Sequence, residues 1–337
     1  MTQTQETVIL TGHIIDSLIL AKVLDTILMM GGTFDLQDMQ IGKTREEPSR
    51  ARIVVQASSA KLLSEILHAI QPHGASVENE RDCRLAAAPA DGIFPDEFYA
   101  TTHLPTQVRV RDQWVEVERI EMDLGIVVDS VRLTARTVPM GEVKQGDQVV
   151  IGRDGVRVIP LQRPRDRDVF SFMESQVSSE RPHGHIISDI AKRLAQLRTG
   201  FREGKAGNKV LLAGGPAIVH AGGREALAWL IDEDFIHVLF CGNALPAHDM
   251  EIDLYGTSLG YRHAAGRVVP HGHEHHLRTI NRIRAIGSIE AAVRTGVVKT
   301  GIMAACVRRG TDVVMAGTIR DDGPLPGVIT DSLEAQA

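Results

Sequence analysis

Three apolar runs in the C-terminal part of the chain, VLLAGG, FIHVLFCGN and TDVVMAGT, each reach a glycine and then turn polar or helical. Between them lie stretches with helical spacing, PAIVHAGGREALAWLIDED and LRTINRIRAIGSIEAAVRTG. Such alternation constrains the fold strongly: parallel strands need long crossovers, and the crossovers must cover the sheet. Residues 208–337 therefore read as a parallel-sheet, Rossmann-like domain, with a helix break at Gly222 and Gly223. In open sheets of this kind, ligands bind beyond the carboxyl ends of the strands. Three strand ends share one chemistry here: Gly214-Gly215-Pro216-Ala217, Gly242-Asn243-Ala244, and Gly317-Thr318 running on to Arg320, Asp321 and Asp322. Glycine lets a phosphate approach the backbone, and proline at the first helical position leaves the following N–H groups aimed at an anion. One such turn reads as a plain chain reversal; three in one domain point to a nucleotide site. Neither GxGxxG nor GxxxxGK[ST] occurs, so the turns alone are a weak pointer to a dinucleotide.

The first 90 residues follow a different order. VILTGHII, TFDLQDMQIG, ARIVVQAS and ASVEN read as strands. DSLILAKVLDTILMMGG and SAKLLSEILHAIQPHG read as helices, the second opening on a serine cap. The sum is βαββαβ, a ferredoxin-like arrangement. Residues 91–165 are β-rich, and Asp154–Gly155 between two alternating runs predicts a hairpin in a small β domain. Residues 166–207 read as a polar connection and a helix over IISDIAKRLAQLRTG. The fold class is thus α/β, with an α+β N-terminal part.

The net charge is −6, without a long basic tract, which argues against non-specific nucleic-acid binding. No apolar run approaches a membrane span, and the N-terminus lacks a signal-like core. Cys83, Cys241 and Cys306 are widely spaced and odd in number, so a reducing cytoplasm is expected. PHGHEHH holds His271, His273, His275 and His276; without cysteine or acid partners on defined elements, hydrogen-bonded or solvated histidines are favoured over a metal.

Several polar residues are candidates for chemistry. Asn243 could bond a ribose or amide, and Asp249 could contact cofactor or equally cap the following helix. Thr257 and Ser258 in YGTSLG could meet phosphate oxygens or satisfy their own turn. Arg320, Asp321 and Asp322 place both signs of charge after a buried strand, although DDG is also ordinary turn chemistry. Glu121 and Asp123 precede a very apolar strand, where burial would raise an acid toward the range of a general base. Asp91, Thr101, Thr102 and His103 share a loop with Phe94, Phe98 and Tyr99; it reads either as a pocket rim or as a surface loop anchored by aromatics.

AGGPAIVHAGG, CGNALPAHDMEIDLYGTSLG, GHEHHLRTINRIRAIGSIEAAV and AGTIRDDGPLPGVITD resemble the C-terminal half of the LOR/SDH-type family. GHIIDSLILAKVLD, DGIFPDEFYATTHLPTQVR, IEMDLGIVVD and VSSERP are similar to its N-terminal half. The family includes archaeal-type ornithine cyclodeaminases and the cyclodeaminase half of arginine dihydrolase–ornithine cyclodeaminase fusions. The resemblance implies a deoxyhypusine-synthase-like NAD domain and conversion of L-ornithine to L-proline and ammonia without net redox change. NAD⁺ takes hydride from the α-carbon, the δ-amine attacks the resulting imine, ammonia leaves, and the hydride returns. In that chemistry Glu121, Asp123, Asp321 and Asp322 are the candidate acids and bases. Gly214 to Ala217, Gly242 to Ala244, Asp249, Thr257, Ser258, Gly317, Thr318 and Arg320 would hold cofactor. Asp91, Thr101, Thr102 and His103 would meet the amino acid. A related NAD(P)-dependent amino-acid or saccharopine-type oxidoreductase is the nearest rival, and a non-catalytic amino-acid or nucleotide-binding protein is the other. Family members continue past the position of Gln336, so part of the cofactor domain is expected to be missing. A homo-oligomer is also expected.

Overall fold

The structure is a computed structural model. It describes the chain apart from residues 1–3, 16, 45–46, 79–80, 160–182, 206, 263–266, 270–271, 318–322 and 337, and apart from the side chains at 183–185, 262, 267–268 and 273. Two compact units divide it, Met1–Val169 and Phe170–Ala337.

The first unit opens with β1 (Thr4–Gly12), α1 (Ile19–Met29), β2 (Thr33–Gln40), β3 (Ser49–Ala57), α2 (Ala60–Ile70) and β4 (Ala75–Val77). The sheet is antiparallel in the order β2-β3-β1-β4, as the ferredoxin-like reading requires. Alternation on β1 and β3 turns Val8, Leu10, Ile53 and Val55 toward Val23 and Ile27 of α1 and Leu63, Ile66 and Ile70 of α2, and all are buried. The expected serine cap is present: Ser59 Oγ accepts the Leu62 N–H at 3.2 Å.

The same unit continues with β5 (Arg84–Ala87), β6 (Thr106–Val110), β7 (Gln113–Glu118), β8 (Gly125–Asp129), β9 (Thr134–Val138), β10 (Gln148–Ile151) and β11 (Val156–Val158). They form one sheet in the order β11-β6-β7-β9-β8-β10-β5. The sheet curls, because the amide of Cys83, just ahead of the edge strand β5, donates to the carbonyl of Arg109 on β6 at 2.8 Å. Val108, Ile126, Val128 and Val150 fill the curl beside Tyr99. Two expectations need correction. RLAA is a strand of this sheet, so the β-rich region begins before residue 91. Asp154–Gly155 closes no hairpin: β10 pairs with β5 and β8, whereas β11 pairs with β6. The dipeptide signals a reversal correctly, but the curl delivers the chain to a distant partner.

The second unit contains α3 (His183–Arg202), β12 (Leu211–Gly214), α4 (Ala217–His220), α5 (Arg224–Asp232), β13 (Val238–Gly242), α6 (Ala244–Tyr255), β14 (Tyr261–Arg262), β15 (Arg267–Val268), α7 (His275–Ile286), α8 (Ile289–Arg294), α9 (Gly301–Arg309), β16 (Asp312–Ala316) and β17 (Val328–Ile329). Its main sheet is parallel throughout, in the order β12-β13-β16-β17. The helical stretch after β12 breaks at Gly222 and Gly223, as its glycines predict. Among the described residues, no helix is long and apolar enough to cross a membrane.

A candidate nucleotide site at the strand ends

Parallel register brings the glycine turns to one end of the sheet. Gly214 lies beside Cys241, and Gly242 beside Ala316, so Gly214–Gly215, Gly242–Asn243 and Gly317 emerge together. Pro216 then opens α4 and Asn243 opens α6. At Gly215 a Cβ would meet no atom within 4 Å, so the backbone of this turn faces open space. A bare turn entering a helix, on a parallel sheet, fits the approach of a phosphate. Thr318, Arg320, Asp321 and Asp322, named from the sequence, lie outside the described residues.

Two expected cofactor contacts are instead committed to the fold. Asn243 is buried; its Nδ2 donates to the Gly323 carbonyl at 3.0 Å, and its Oδ1 accepts the Leu325 N–H at 2.9 Å. Arg284 of α7 adds a hydrogen bond to the Pro324 carbonyl at 2.6 Å. Asn243 therefore pins the 323–325 loop beside the strand end. Asp249 is fully buried and accepts from Arg224 Nε at 2.8 Å and from the amides of Ile302 and Met303 at 2.9 and 2.8 Å. Its carboxylate satisfies amides in the first turn of α9, a helix distant in sequence, and not the following helix that the capping alternative supposed.

Thr257 and Ser258 are likewise buried and occupied. Glu251 of α6, also fully buried, organises them. Thr257 Oγ1 donates to Glu251 Oε1 at 2.8 Å, while the Leu259 and Gly260 amides reach its two oxygens at 3.1 and 3.2 Å. His248 Nδ1 lies 2.8 Å from Glu251 Oε2. Burial works against ionisation of Glu251, but hydrogen bonds from His248, Thr257 and Gly260 outweigh it and hold the carboxyl below its ordinary range. An ionised carboxylate only accepts, so His248 carries its proton on Nδ1. Thr257 has given its one proton to Glu251, so the 2.6 Å contact with His275 Nδ1 must be donated by the histidine. Ser258 Oγ pairs with His220 Nδ1 at 2.7 Å, and the His220 and His248 rings lie 4.8 Å apart. The loop carrying these hydroxyls is fixed by a crossing of Gly260 and Gly272, where a Cβ on either would overlap the other's backbone. Thr257 thus belongs to a proton-ordered network around Glu251, and Ser258 pairs with His220 beside it. Among the described residues, no group of three or more His, Cys, Asp or Glu side chains is arranged to hold a metal ion.

Sequence reasoning missed His220, His248 and Glu251. The available signal was the i, i+3 spacing of His248 and Glu251 one helix after a glycine strand end, with His220 just past the first glycine turn. Cys241 sits at a strand end, but burial pushes its thiol up to about 11, which makes it a packed side chain and a poor nucleophile.

In the first unit, Thr101 is buried and used structurally. Its hydroxyl donates to the Glu121 carbonyl at 2.5 Å and accepts the Leu124 N–H at 3.0 Å. This corrects its assignment to substrate; it staples the 121–124 loop. Glu121 itself is exposed, against the expectation of burial, because its side chain leaves the loop outward. Asp123 is half-buried at a φ of 66°, and its amide donates to the Thr101 carbonyl at 2.9 Å. Asp91 is an exposed turn residue, paired with Lys144 at 3.2 Å and accepting the Gln145 amide at 2.9 Å, which does not suit a substrate contact. Thr102 is half-buried and His103 exposed. Phe94, Phe98 and Tyr99 are buried anchors, as the surface-loop alternative supposed.

A parallel sheet with bare glycine turns at its carboxyl end defines a Rossmann-type nucleotide-binding protein carrying a separate N-terminal α+β unit. Comparison with known proteins narrows the class. Residues 188–337 match the arginine dihydrolase ArgZ-like C-terminal Rossmann fold, residues 105–187 the first region of that C-terminal part, and residues 5–104 the LOR/SDH bifunctional enzyme conserved region. The chain belongs to this LOR/SDH, ArgZ-like family. It is 49% identical over 97% of its length to an ornithine cyclodeaminase of Methanothermobacter thermautotrophicus, covering 78% of that protein. It is 46% identical over its full length to the ornithine cyclodeaminase of Methanopyrus kandleri, covering 80% of it. The crystal structure of AgrE in ternary complex with ornithine and NAD⁺ superposes over 99% of this chain with a TM-score of 0.82 and 36% identity. The chain spans 47% of AgrE, about half its length.

Proposed function

We propose that this protein is an NAD-dependent ornithine cyclodeaminase, converting L-ornithine to L-proline and ammonia. The observation that carries the reading is the likeness, across nearly the whole chain, to an AgrE structure holding ornithine and NAD⁺. Relatives named ornithine cyclodeaminase at 49% and 46% identity support it.

The strand-end turns fit the cofactor, which supplies a hydride acceptor and donor when bound. Gly214, Gly215, Pro216 and Ala217, with Gly242, Ala244 and Gly317, present backbone to its phosphates; Thr318 and Arg320 belong to the same reading. Asn243 holds the 323–325 loop, and Asp249 holds the start of α9. Glu251 holds His248 in one orientation, and Ser258 holds His220 beside it, so that both position neighbouring groups without reorganising during turnover. Asp123 takes a proton from the ornithine ammonium at its carboxylate, on a loop held by Thr101, and Thr102 and His103 flank it. Asp321 and Asp322 complete the acids of the reading. A homo-oligomer in a reducing cytoplasm belongs to the same proposal.

The test is L-ornithine turnover with and without NAD⁺, quantifying ammonia, proline and NADH together. Equimolar proline and ammonia without NADH accumulation is expected. NADH accumulating with substrate would instead identify an amino-acid dehydrogenase, and absence of turnover with NAD⁺ bound would overturn the choice of ornithine.

A further inference from the structure

The first helix of the chain is apolar on both sides. In α1, ILAKVLDTILM, only Lys22, Asp25 and Thr26 are polar. Val23 and Ile27 turn inward onto the ferredoxin-like sheet and are fully buried. The opposite side carries Leu28 and Met29, exposed at 54% and 88%, and Ala21 is exposed beside them. Leu18, at the head of the helix, is exposed at 64%. A surface helix normally turns polar residues outward, and a helix that is apolar all round is a buried one. Here the inner face is covered and the outer face is not.

Leu18 belongs to this outer face by its backbone. Its carbonyl accepts the Lys22 amide at 3.0 Å, so it stands one turn ahead of Lys22. It holds a φ of 57°, in the left-handed region that leucine seldom adopts, and gains no burial in return.

The order of residues along the outer face says what covers it. Leu18, Lys22, Asp25 and Met29 recur at intervals of four, three and four, which places them on one helical stripe. Read from either end, the stripe runs apolar, charged, charged, apolar, and the two charges are opposite. Turned end for end about a two-fold axis it matches itself: Leu18 meets Met29, and Lys22 meets Asp25, twice over. Among the described residues, neither the Lys22 nor the Asp25 side chain makes an ion pair or hydrogen bond within the chain, so both charges are available to a partner.

We propose that the outer face of α1 is a docking surface for a second copy of this chain, the two helices packing antiparallel with Leu18 on Met29 and Lys22 on Asp25. Ala21 and Leu28 flank the seam. The inference gives a surface to the homo-oligomer proposed above and rests on that part of the reading; ornithine and NAD⁺ do not enter it. The helix is about 16 Å long, short for a protein interface, so the pairing is reversible and weakens on dilution.

The test is a charge exchange, read by sedimentation equilibrium of the full chain over a concentration series. The parent is expected to self-associate. Lys22→Asp sets acid against acid at both crossings of the seam, and Asp25→Lys sets cation against cation. Each is expected to weaken association about tenfold or more. Carrying both substitutions restores an opposite pair at each crossing and should recover association to within about threefold of the parent. Met29→Lys should weaken it as the single exchanges do. Lys22, Asp25 and Met29 are exposed, so the urea unfolding midpoint should stay that of the parent throughout. The proposal is overturned if the parent is monomeric at every concentration, or if neither single exchange weakens association. It is equally overturned if the double exchange associates no better than the single ones, since α1 would then meet a surface other than itself. Association that persists through both single exchanges would leave the homo-oligomer standing on another surface, and ornithine turnover is read independently of all of these.

Discussion

Arg224 Nε lies 2.8 Å from Asp249 Oδ1, and neither side chain is appreciably exposed. The pair joins α5 to α6, and through the Ile302 and Met303 amides it also holds the start of α9. Asp249→Ala would leave a buried guanidinium without its buried counter-charge, keeping only the exposed Glu225, and two helix-end amides without an acceptor. The expected loss is about 3–5 kcal/mol, measured by urea denaturation of the full chain. A loss below about 1 kcal/mol would show that solvent reaches the pair after all.

Gly301 packs against this pair at a φ of +91°, and a Cβ there would overlap both the Arg224 guanidinium and the Asp249 carboxylate. Gly301→Ala should cost about 2 kcal/mol or more, from backbone strain and displaced charge together. In an Asp249→Ala background the cost should be smaller, because one of the overlapping groups is gone. Strict additivity in a double-mutant cycle would refute the shared cause.

Glu251 predicts a pH signature. Its carboxyl is held below the ordinary value of 4.5 in the folded chain. A depressed carboxylate stabilises above the unfolded value and loses that contribution as pH falls through the folded value. Glu251→Gln should therefore destabilise by about 2–4 kcal/mol near neutrality. The gap to the parent should narrow as pH drops below 4.5. A gap independent of pH would mean that packing, not ionisation, is what the substitution removes.

Gly215 separates folding from cofactor binding. Its surroundings are open, so Gly215→Val should leave the unfolding midpoint within about 1 kcal/mol of the parent. If the turn cradles phosphate, the same change should weaken NAD⁺ binding about tenfold, because the branched side chain blocks backbone approach. Unchanged affinity by calorimetry would remove this turn from the cofactor site.

The thiols give a reactivity test. Burial pushes Cys241 up to about 11 and Cys306 to about 12, and Cys83 also rises to about 11. All three should react slowly with a thiolate-selective reagent at pH near 8 in the native protein and promptly in denaturant, since only the thiolate is reactive. A fast native reaction at one thiol would mean that local opening exposes it.

How far the chain could be read depended on the distance over which each signal acts. The ferredoxin-like sheet was legible because its evidence is local: the alternation of Val8, Leu10, Ile53 and Val55 and the cap at Ser59. The strand-end glycines and the break at Gly222–Gly223 were legible for the same reason. The two-residue strand β17 carries too few residues for any period, and RLAA in β5 gains its place only by pairing with β10. Asn243 and Asp249 looked like cofactor ligands because they follow a strand end. Their true partners, Gly323, Leu325, Ile302 and Met303, lie more than fifty positions away and exert no local pattern. Glu251 escaped the sequence reading because only packing shows that His248, Thr257 and Gly260 converge on it.

The crossing of Gly260 and Gly272 bears on how such a chain can diverge. One strand of backbone delivers Thr257 and Ser258, the other leads to His275, and the space between them admits no side chain. Neither position can be exchanged by a compensating change at the other, because shrinking a glycine is impossible. The close crossing thus ties the two segments together, so that the hydroxyls and histidines they carry can change only as side chains on a shared frame.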